Sequence, residues 1–171
     1  MHERPLHVIA LSGSLRRGST NTALLHAAAR VAPPGMVVRV YEELDSLPLF
    51  TPDLEDALPL AAQRLRYALC ASDGILIASP EYAHGVPGAF KNALDWVVGC
   101  AELGHKPVVL LNASARAVHA QAALAEIVVT MNLNLLASLP VPLQRNATVD
   151  SIAADIDTAS LLRQALAQLC N

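Results

Sequence analysis

Strand-like and helix-like segments alternate along the whole chain, and this alternation constrains the fold more than any other feature of the sequence. The strand-like runs are short and rich in Val, Ile and Leu, which is typical of strands buried on both faces. The segments between them repeat apolar residues at helical spacing, as Leu58, Ala61 and Leu65 do. We expect strands at residues 6–11, 36–41, 74–79, 107–112 and 135–139, and helices at 22–31, from 58 onward, 88–98, 117–131 and 158–169.

This order of segments predicts an α/β fold, a doubly wound five-stranded parallel sheet with helices on both faces. The chain has 171 residues with no internal repeat and no linker-like stretch, so a single domain over 1–171 is expected. In such a sheet, the loops that follow strands one, three and four gather at one edge, where ligands bind. These loops are residues 13–21, 80–88 and 112–118.

The first of these loops has the sequence GSLRRGSTN, from Gly13 to Asn21. A turn between a strand and a helix points several backbone N–H groups, and the positive end of the helix dipole, toward one point. Arg16 and Arg17 add positive charge suited to paired contacts with phosphate oxygens. These features favour a phosphate group as the ligand. The alternative is a plain strand–helix turn in which a Ser or Thr caps the helix.

The loop differs from two common nucleotide-binding motifs. A triphosphate-binding loop needs a Lys before its final Ser or Thr, and Ser19 occupies that position. A dinucleotide fingerprint needs three closely spaced glycines, and Ser12 and Leu15 stand in the wrong places. A single terminal phosphate therefore fits the loop best. A phosphatase-like or nucleotide-binding protein is a weaker alternative, because the loop lacks that Lys and has no Cys or Asp nucleophile.

The charge and composition argue against several kinds of partner. The formal net charge is −3, which disfavours broad electrostatic binding of nucleic acid. No apolar run approaches membrane-spanning length, and residues 1–5 lack the regions of a signal peptide, so no membrane partner and a cytoplasmic location are expected. The three cysteines (Cys70, Cys100 and Cys170) and six histidines show no ligand spacing. No metal site and no redox pair of thiols is therefore predicted.

The second loop and the helix after it carry a longer pattern, PEYAHGVPGAFKNALDW, from Pro80 to Trp96. Its prolines stiffen the backbone, and its glycines allow close approach by a flat ligand. Taken alone, this loop could equally be a rigid crossover whose Tyr82 covers the core. Together with the first loop, it resembles the NADPH-dependent FMN reductase family, flavodoxin-like enzymes that include azo, quinone and chromate reductases. The resemblance covers most of the chain and depends on two long motifs in the right order.

The resemblance implies a flavodoxin-like fold and two sets of contacts to FMN. The residues expected to hold the FMN phosphate are Ser14, Arg16, Ser19, Asn21 and Thr22. The residues expected along the isoalloxazine ring, largely through backbone groups, are Pro80, Glu81, Tyr82 and Gly85. Residues expected to fix the helix and a subunit contact, rather than take part in chemistry, are Lys91, Asn92, Asp95 and Trp96.

Two places depart from the family pattern. Ala83 stands where members often carry Asn, and the third loop lacks the glycines that members place near the pyrimidine end of the flavin. Ser114 is a further expected flavin contact, with a capped helix start as the alternative. His84 and Arg116 are candidates for binding the acceptor or the nicotinamide nucleotide, and a solvent-exposed position is the alternative for each.

The resemblance implies an NAD(P)H-dependent oxidoreductase. Bound FMN would take hydride from NADPH or NADH and pass electrons to a flavin, quinone, azo compound or similar small molecule, with no catalytic side chain required. It also implies a homodimer or homotetramer, with apolar residues of the third predicted helix at the contact: Ala93, Leu94, Val97 and Val98. The alternative is a non-enzymatic flavodoxin-like electron carrier or FMN-binding module. The chain is only mildly acidic, and its first loop holds two arginines. Both features favour the enzyme over the carrier.

Overall fold

Five parallel strands form a single sheet in the computed structural model, which describes residues 4–170. The strands are β1 (Leu6–Ser12), β2 (Met36–Tyr41), β3 (Gly74–Ala78), β4 (Pro107–Asn112) and β5 (Asn134–Pro140). Their order across the sheet is β2-β1-β3-β4-β5. This is the flavodoxin-like order, in which the direction of winding reverses between β1 and β3. The predicted fold class is confirmed.

Helices cover both faces of the sheet. They are α1 (Thr20–Arg30), α2 (Leu60–Cys70), α3 (Gly88–Asp95), α4 (Val118–Thr130), α5 (Val149–Ala154) and α6 (Ile156–Gln168). Side chains alternate across β1, so Val8 and Ala10 pack with α1 and α6, while Ile9 and Leu11 pack with α2, α3 and α4. Each face of the sheet therefore has its own apolar core.

Several element bounds differ from the sequence predictions. The helix expected over 88–98 ends at Asp95, and residues 44–57 hold two short 3₁₀ turns. The helix α5 was not predicted. It begins with a capping box in which the Thr148 hydroxyl accepts from the Ser151 backbone N–H at 3.2 Å, and the Ser151 hydroxyl accepts from Thr148 N–H at 2.9 Å. Ser151 takes the place of the usual Glu or Gln, so the sequence signal for this helix is weak.

The segment before α2 is tied to α3 by side chains of the second motif. The Asn92 amide donates to the Pro48 carbonyl at 2.9 Å and accepts from the Phe50 N–H at 2.8 Å. The indole of Trp96 is fully buried and also donates to the Pro48 carbonyl, at 2.7 Å. Phe50 and Trp96 meet edge to face with ring centroids 5.2 Å apart. Asn92 and Trp96 thus have a structural role, because their hydrogen bonds and packing hold α3 in place.

Three residues that were expected at a subunit contact lie inside the chain instead. Ala93, Leu94 and Val97 are at most 4% exposed, because they face the core beneath β3 and β4. Val98, which follows the end of α3, is 52% exposed. Among residues 4–170, no helix is long and apolar enough to span a membrane.

Candidate functional site

The three loops singled out in the sequence lie at the carboxyl ends of neighbouring strands. β1 pairs with β3, and β3 pairs with β4, all in parallel, so the first, second and third loops leave the same edge of the sheet. The Gly13 N–H donates to the Ala78 carbonyl at 2.8 Å, which keeps the ends of β1 and β3 together. The crevice at this switch point is where open α/β sheets bind their ligands.

The first loop is a nest of backbone N–H groups. Ser19 is the N-cap of α1, and its hydroxyl accepts from the Thr22 N–H at 3.4 Å. The Ser14 hydroxyl accepts from the Arg16 N–H at 3.3 Å. Among the described residues, no acceptor bonds to the N–H groups of Leu15, Arg17, Gly18 and Thr20. Unpaired N–H groups around a helix N-terminus form an anion-binding site.

Serine and threonine hydroxyls line the inside of this nest. Ser14 and Ser19 are buried, and the Ser12 and Thr22 hydroxyls are 2.7 Å apart. Arg16 and Arg17 are exposed at the rim, and their side chains make no hydrogen bond or ion pair with another described residue. The loop therefore combines free backbone donors, hydroxyls and uncommitted positive charge, the chemistry that a phosphate group needs.

Two buried polar atoms beside the loop lack a partner among the described residues. They are the Asn21 amide oxygen and the Tyr41 hydroxyl. Tyr41 ends β2 and lines a cavity of about 210 Å³ together with Ser12, Ser14, Arg16 and Thr22. Buried polar groups are almost always hydrogen-bonded, so unpaired ones next to an anion nest indicate a polar ligand. Burial raises the pKa of Tyr41, so the hydroxyl is protonated and can donate.

The residues that follow β1 and β3, Gly13 and Ser79, come into close contact in the crevice. A Cβ atom placed on Gly13 would lie 2.1 Å from the Ser79 hydroxyl oxygen and 2.6 Å from its Cβ. No side chain fits there without displacing the backbone of the second loop. Gly13 therefore allows the two loops to meet.

The second loop contains a tight turn at its centre. Tyr82 and Gly85 exchange backbone hydrogen bonds of 3.0 Å in both directions. The two residues between them have positive φ, 48° at Ala83 and 59° at His84. Asn and Gly suit this backbone conformation far better than Ala does. The turn leaves the ring of Tyr82 53% exposed at the sheet edge.

The Glu81 side chain acts on the neighbouring helix rather than on the crevice. Its carboxylate accepts from the backbone N–H groups of His119 at 2.7 Å and Ala120 at 2.9 Å, at the start of α4. The N–H of Ala120 is the main cause that lowers the pKa of Glu81 below its usual value. The rings of His84 and His119 also stack, with centroids 4.5 Å apart. The second loop is thus joined to the start of α4 by the side chains of Glu81, His84 and His119.

The third loop is a polar turn without glycine. The Asn112 side chain donates to the Ala117 carbonyl at 3.1 Å and accepts from the Ser114 N–H at 3.0 Å. The Ser114 hydroxyl accepts from the Arg116 N–H at 3.3 Å. Ser114 and Arg116 are both exposed at the ligand edge of the sheet, so both are accessible to a ligand.

The fold thus places every residue of the sequence-predicted site on these three loops or on the first turn of α1. Sequence reasoning missed Ser12, Tyr41 and His119. Ser12 and Tyr41 are the last residues of their strands, and this position could have identified them. His119 could not have been found in this way, because its stacking on His84 depends on tertiary structure. The sequence spacing of the cysteines gave no sign that two of them meet, yet the Cys70 and Cys100 Sγ atoms are 3.5 Å apart.

A sheet in this order, with a ligand crevice and an anion nest at its switch point, defines a protein of the flavodoxin-like fold. The sequence profile of the NADPH-dependent FMN reductase family matches residues 6–146. The chain belongs to that family, which confirms the resemblance.

Named relatives agree with this assignment, and a solved structure shares the fold. A probable NADPH:quinone oxidoreductase 2 from Oryza sativa is 45% identical over 98 residues, which cover 54% of this chain and 48% of that protein. An NAD(P)H-dependent FMN reductase from Pseudomonas aeruginosa is 38% identical over 113 residues, covering 64% and 60%. The chain therefore spans about half to three fifths of the length of these relatives. The flavoenzyme NAD(P)H:(acceptor) oxidoreductase from Paracoccus denitrificans shares the fold, with a TM-score of 0.73, 24% identity and 96% of each chain covered.

Proposed function

We propose that this protein is an FMN-dependent NAD(P)H oxidoreductase that reduces a quinone, a flavin, an azo compound or a similar small acceptor. The observation that carries the proposal is the set of free backbone N–H groups of Leu15, Arg17, Gly18 and Thr20, beside the Asn21 amide oxygen, which has no partner among the described residues. When bound, FMN supplies the hydride chemistry, accepting from the nicotinamide nucleotide and donating to the acceptor. The role of the protein is to bind, orient and shield the FMN and its reaction partners.

The phosphate of FMN fits the first loop. The free N–H groups of Arg17, Gly18 and Thr20, with the Ser14 and Ser19 hydroxyls, would hold its oxygens. Arg16 would add the charge. The Asn21 amide oxygen lacks a donor, which a ribityl hydroxyl could supply, and the Tyr41 hydroxyl lacks an acceptor. The residues present therefore fit FMN better than riboflavin, which lacks the phosphate.

The flavin ring fits the second and third loops. Pro80, Glu81, Tyr82 and Gly85 would border it mainly through backbone groups, and the Glu81 N–H has no acceptor among the described residues. Ser114 would lie at the other side of the ring. His84 and Arg116 are exposed on the same edge and would contact the nicotinamide nucleotide or the acceptor. No protein nucleophile or acid–base pair is needed for this reaction.

The experiment that tests the proposal is titration of apoprotein with FMN and with riboflavin. Arg16→Ala should cost about 1.5–3 kcal/mol of FMN binding, the range for a hydrogen bond to a charged group, and leave riboflavin binding unchanged. Arg163→Ala, an exposed arginine on α6, is the matched control. Equal affinities of the wild type for FMN and riboflavin would mean that the loop is not a phosphate site.

A non-enzymatic electron carrier is the second candidate function, because it needs the same nest. Stopped-flow mixing with NADPH separates the two: the enzyme reduces its bound flavin directly, and a carrier does not. Initial rates with a quinone should also give parallel double-reciprocal lines, since donor and acceptor use the site in turn. Intersecting lines, or no reduction by NADPH or NADH, would favour the carrier.

A homodimer or homotetramer in the cytoplasm completes the proposal. NAD(P)H as donor points to the cytoplasm, where cells keep a reduced nicotinamide pool. A groove of about 230 Å³ between α3 and α4 is lined largely by apolar side chains, including Val98, Ile127 and Met131. Light scattering measures the mass in solution. Val98→Asp should lower it, whereas Ile156→Asp, an exposed position on α6, should not.

A further inference from the structure

Two cysteines and a glutamate form a compact cluster far from the three ligand loops. The Sγ atoms of Cys70 and Cys100 are 3.5 Å apart, and the Cys100 Sγ lies 3.3 Å from a Glu102 carboxylate oxygen. All three ligand atoms lie within 4.8 Å of one another. Cys70 ends α2 shortly before β3, and Cys100 precedes β4, so the cluster is at the amino edge of the sheet. The flavin site is at the carboxyl edge.

The surrounding structure holds these segments in place. The Lys106 ammonium donates to the Cys70 carbonyl at 3.0 Å and to the Ser72 carbonyl, which fixes the end of α2. Arg66, one turn earlier on α2, donates to the Trp96 carbonyl at 2.8 Å just before Cys100. Two segments thirty positions apart are thereby kept in contact without a covalent link. The thiols are half-buried, and a cavity of about 290 Å³ reaches Cys100 from solvent.

The spacing of the three atoms is close to that of a tetrahedral thiolate site. Zn–S and Zn–O bonds of about 2.3 and 2.0 Å at tetrahedral angles place two sulfurs about 3.8 Å apart, and a sulfur and an oxygen about 3.5 Å apart. The observed distances are 3.5 and 3.3 Å. Both are a few tenths of an ångström shorter than the ideal values, and the Cys70 Sγ and the Glu102 carboxylate oxygen lie within 4.8 Å of each other. Water would supply the fourth ligand.

The charges of the cluster would balance around a divalent cation. Two thiolates and the Glu102 carboxylate carry −3, and the cation with the Lys106 ammonium carries +3. The Lys106 ammonium is held beside the cluster by the Cys70 and Ser72 carbonyls. Without a metal, the Cys100 thiol donates a hydrogen bond to the Glu102 carboxylate. A metal would replace the proton of that thiol and the proton of Cys70, releasing both to solvent.

Glu102 also separates this reading from that of a disulfide-forming pair. Disulfide formation and metal binding both need thiolates, and a disulfide would leave the Glu102 carboxylate without a role. A metal site uses the same carboxylate as a ligand. We propose that Cys70, Cys100 and Glu102 bind a thiophilic divalent cation of the Zn²⁺ class, independently of the flavin site.

Titration of the reduced full-length chain with Cd²⁺ and Zn²⁺ tests the proposal. Cd²⁺ should produce a thiolate-to-metal charge-transfer band in the ultraviolet at one equivalent per chain. The band should persist in Cys170→Ser, the control for the third thiol, and disappear in Cys70→Ser and in Cys100→Ser. Glu102→Gln should keep the band but weaken binding by about tenfold or more, the size of effect seen for lost contacts around metal sites.

A second measurement needs no variant, in case a substitution prevents folding. In the wild type, Zn²⁺ should protect Cys70 and Cys100 from alkylation, as read by peptide mass spectrometry, and leave Cys170 reactive. Absence of the Cd²⁺ band, its persistence in both serine variants, or equal alkylation with and without Zn²⁺ would overturn the proposal. Formation of a Cys70–Cys100 disulfide in air while Zn²⁺ is present would also overturn it.

Discussion

The Glu81 carboxylate, in the loop after β3, accepts a 2.7 Å hydrogen bond from the backbone N–H of His119, at the start of α4. It also accepts one from Ala120 at 2.9 Å. The N-cap position of α4 is Ala117, which has no side-chain acceptor, so Glu81 provides the cap from another loop. A negative charge at this end of a helix is further stabilised by the helix dipole. The loop that would border the flavin ring is in this way fixed to the next helix.

The first prediction concerns this cap and its dependence on pH. Glu81→Gln should lower the melting temperature at neutral pH, whereas Glu126→Gln, at an exposed position on α4, should not. The folded-state pKa of Glu81 is lowered, mainly by the Ala120 N–H, so its contribution is complete above the unfolded pKa of about 4.3. The contribution is lost as pH falls through the lower folded value. Thermal unfolding of the wild type and of Glu81→Gln should be measured from neutral to acidic pH. The difference between their melting temperatures should shrink in acid. A difference that stays constant would argue against the cap.

The second prediction concerns the contact between Gly13 and Ser79. Gly13→Ala places a Cβ 2.1 Å from the Ser79 hydroxyl oxygen, so the loops must separate. We expect a loss of about 1–3 kcal/mol in unfolding free energy, typical of overpacking, together with weaker FMN binding.

Gly88→Ala is the control for this substitution. Nothing lies within 4 Å of a Cβ there, and Gly88 begins α3. The change should be neutral or stabilising by up to about 1 kcal/mol. Urea unfolding measures both variants. Equal stability of the two would mean that the close approach at Gly13 is unimportant.

The third prediction concerns the left-handed turn of the second loop. Ala83 has a φ of 48°, which costs an L-residue other than Asn or Gly about 1–2 kcal/mol. Ala83→Asn should therefore stabilise the protein by about 0.5–1 kcal/mol, since Asn tolerates this conformation. Ala89→Asn, at an exposed helical position on α3, should instead destabilise it. Chemical denaturation gives the sign of each change, and destabilisation by both would contradict the turn geometry.

The fourth prediction concerns Arg116. The side chain is exposed on the third loop, at the ligand edge, and it makes no ion pair with another described residue. If the first loop holds the FMN phosphate, Arg116 is available for the pyrophosphate or 2′-phosphate of the nicotinamide nucleotide. Arg116→Ala should raise the apparent KM for NADPH and leave FMN affinity nearly constant. Collapse of FMN binding with an unchanged KM would identify Arg116 as a flavin ligand, and no change in either would make it a surface residue.

Much of the fold could be predicted, because strands and helices leave local patterns. The bounds of β2 and β4 agree with the sequence to the residue, and the other strands to within one. Buried parallel strands are continuous apolar runs between polar loops, which makes their ends visible. The helix α5 was missed because six residues with an unusual capping pair carry little periodicity. The helix α3 was drawn too long because Trp96, Val97 and Val98 continue an apolar pattern after the helix has ended.

The site could be predicted as three loops but not as a geometry. The composition of Gly13 to Asn21 indicates a phosphate ligand without knowledge of its neighbours. The role of the Glu81 side chain could not be foreseen, since its partners lie 38 and 39 residues later in the sequence. For Cys70 and Cys100, sequence separation gave no sign of a contact, because segments thirty residues apart meet where β3 and β4 begin.

The sequence alone determined the alternation of strands and helices, the parallel sheet that follows from it, and the chemistry of the first loop. These are properties of neighbouring residues, set by side-chain periodicity and by the need to satisfy a helix N-terminus. Tertiary structure decided which distant groups meet: Glu81 with α4, Gly13 with Ser79, and Cys70 with Cys100. Such contacts depend on strand order and on the packing of helices across the sheet, and no local pattern encodes either of them.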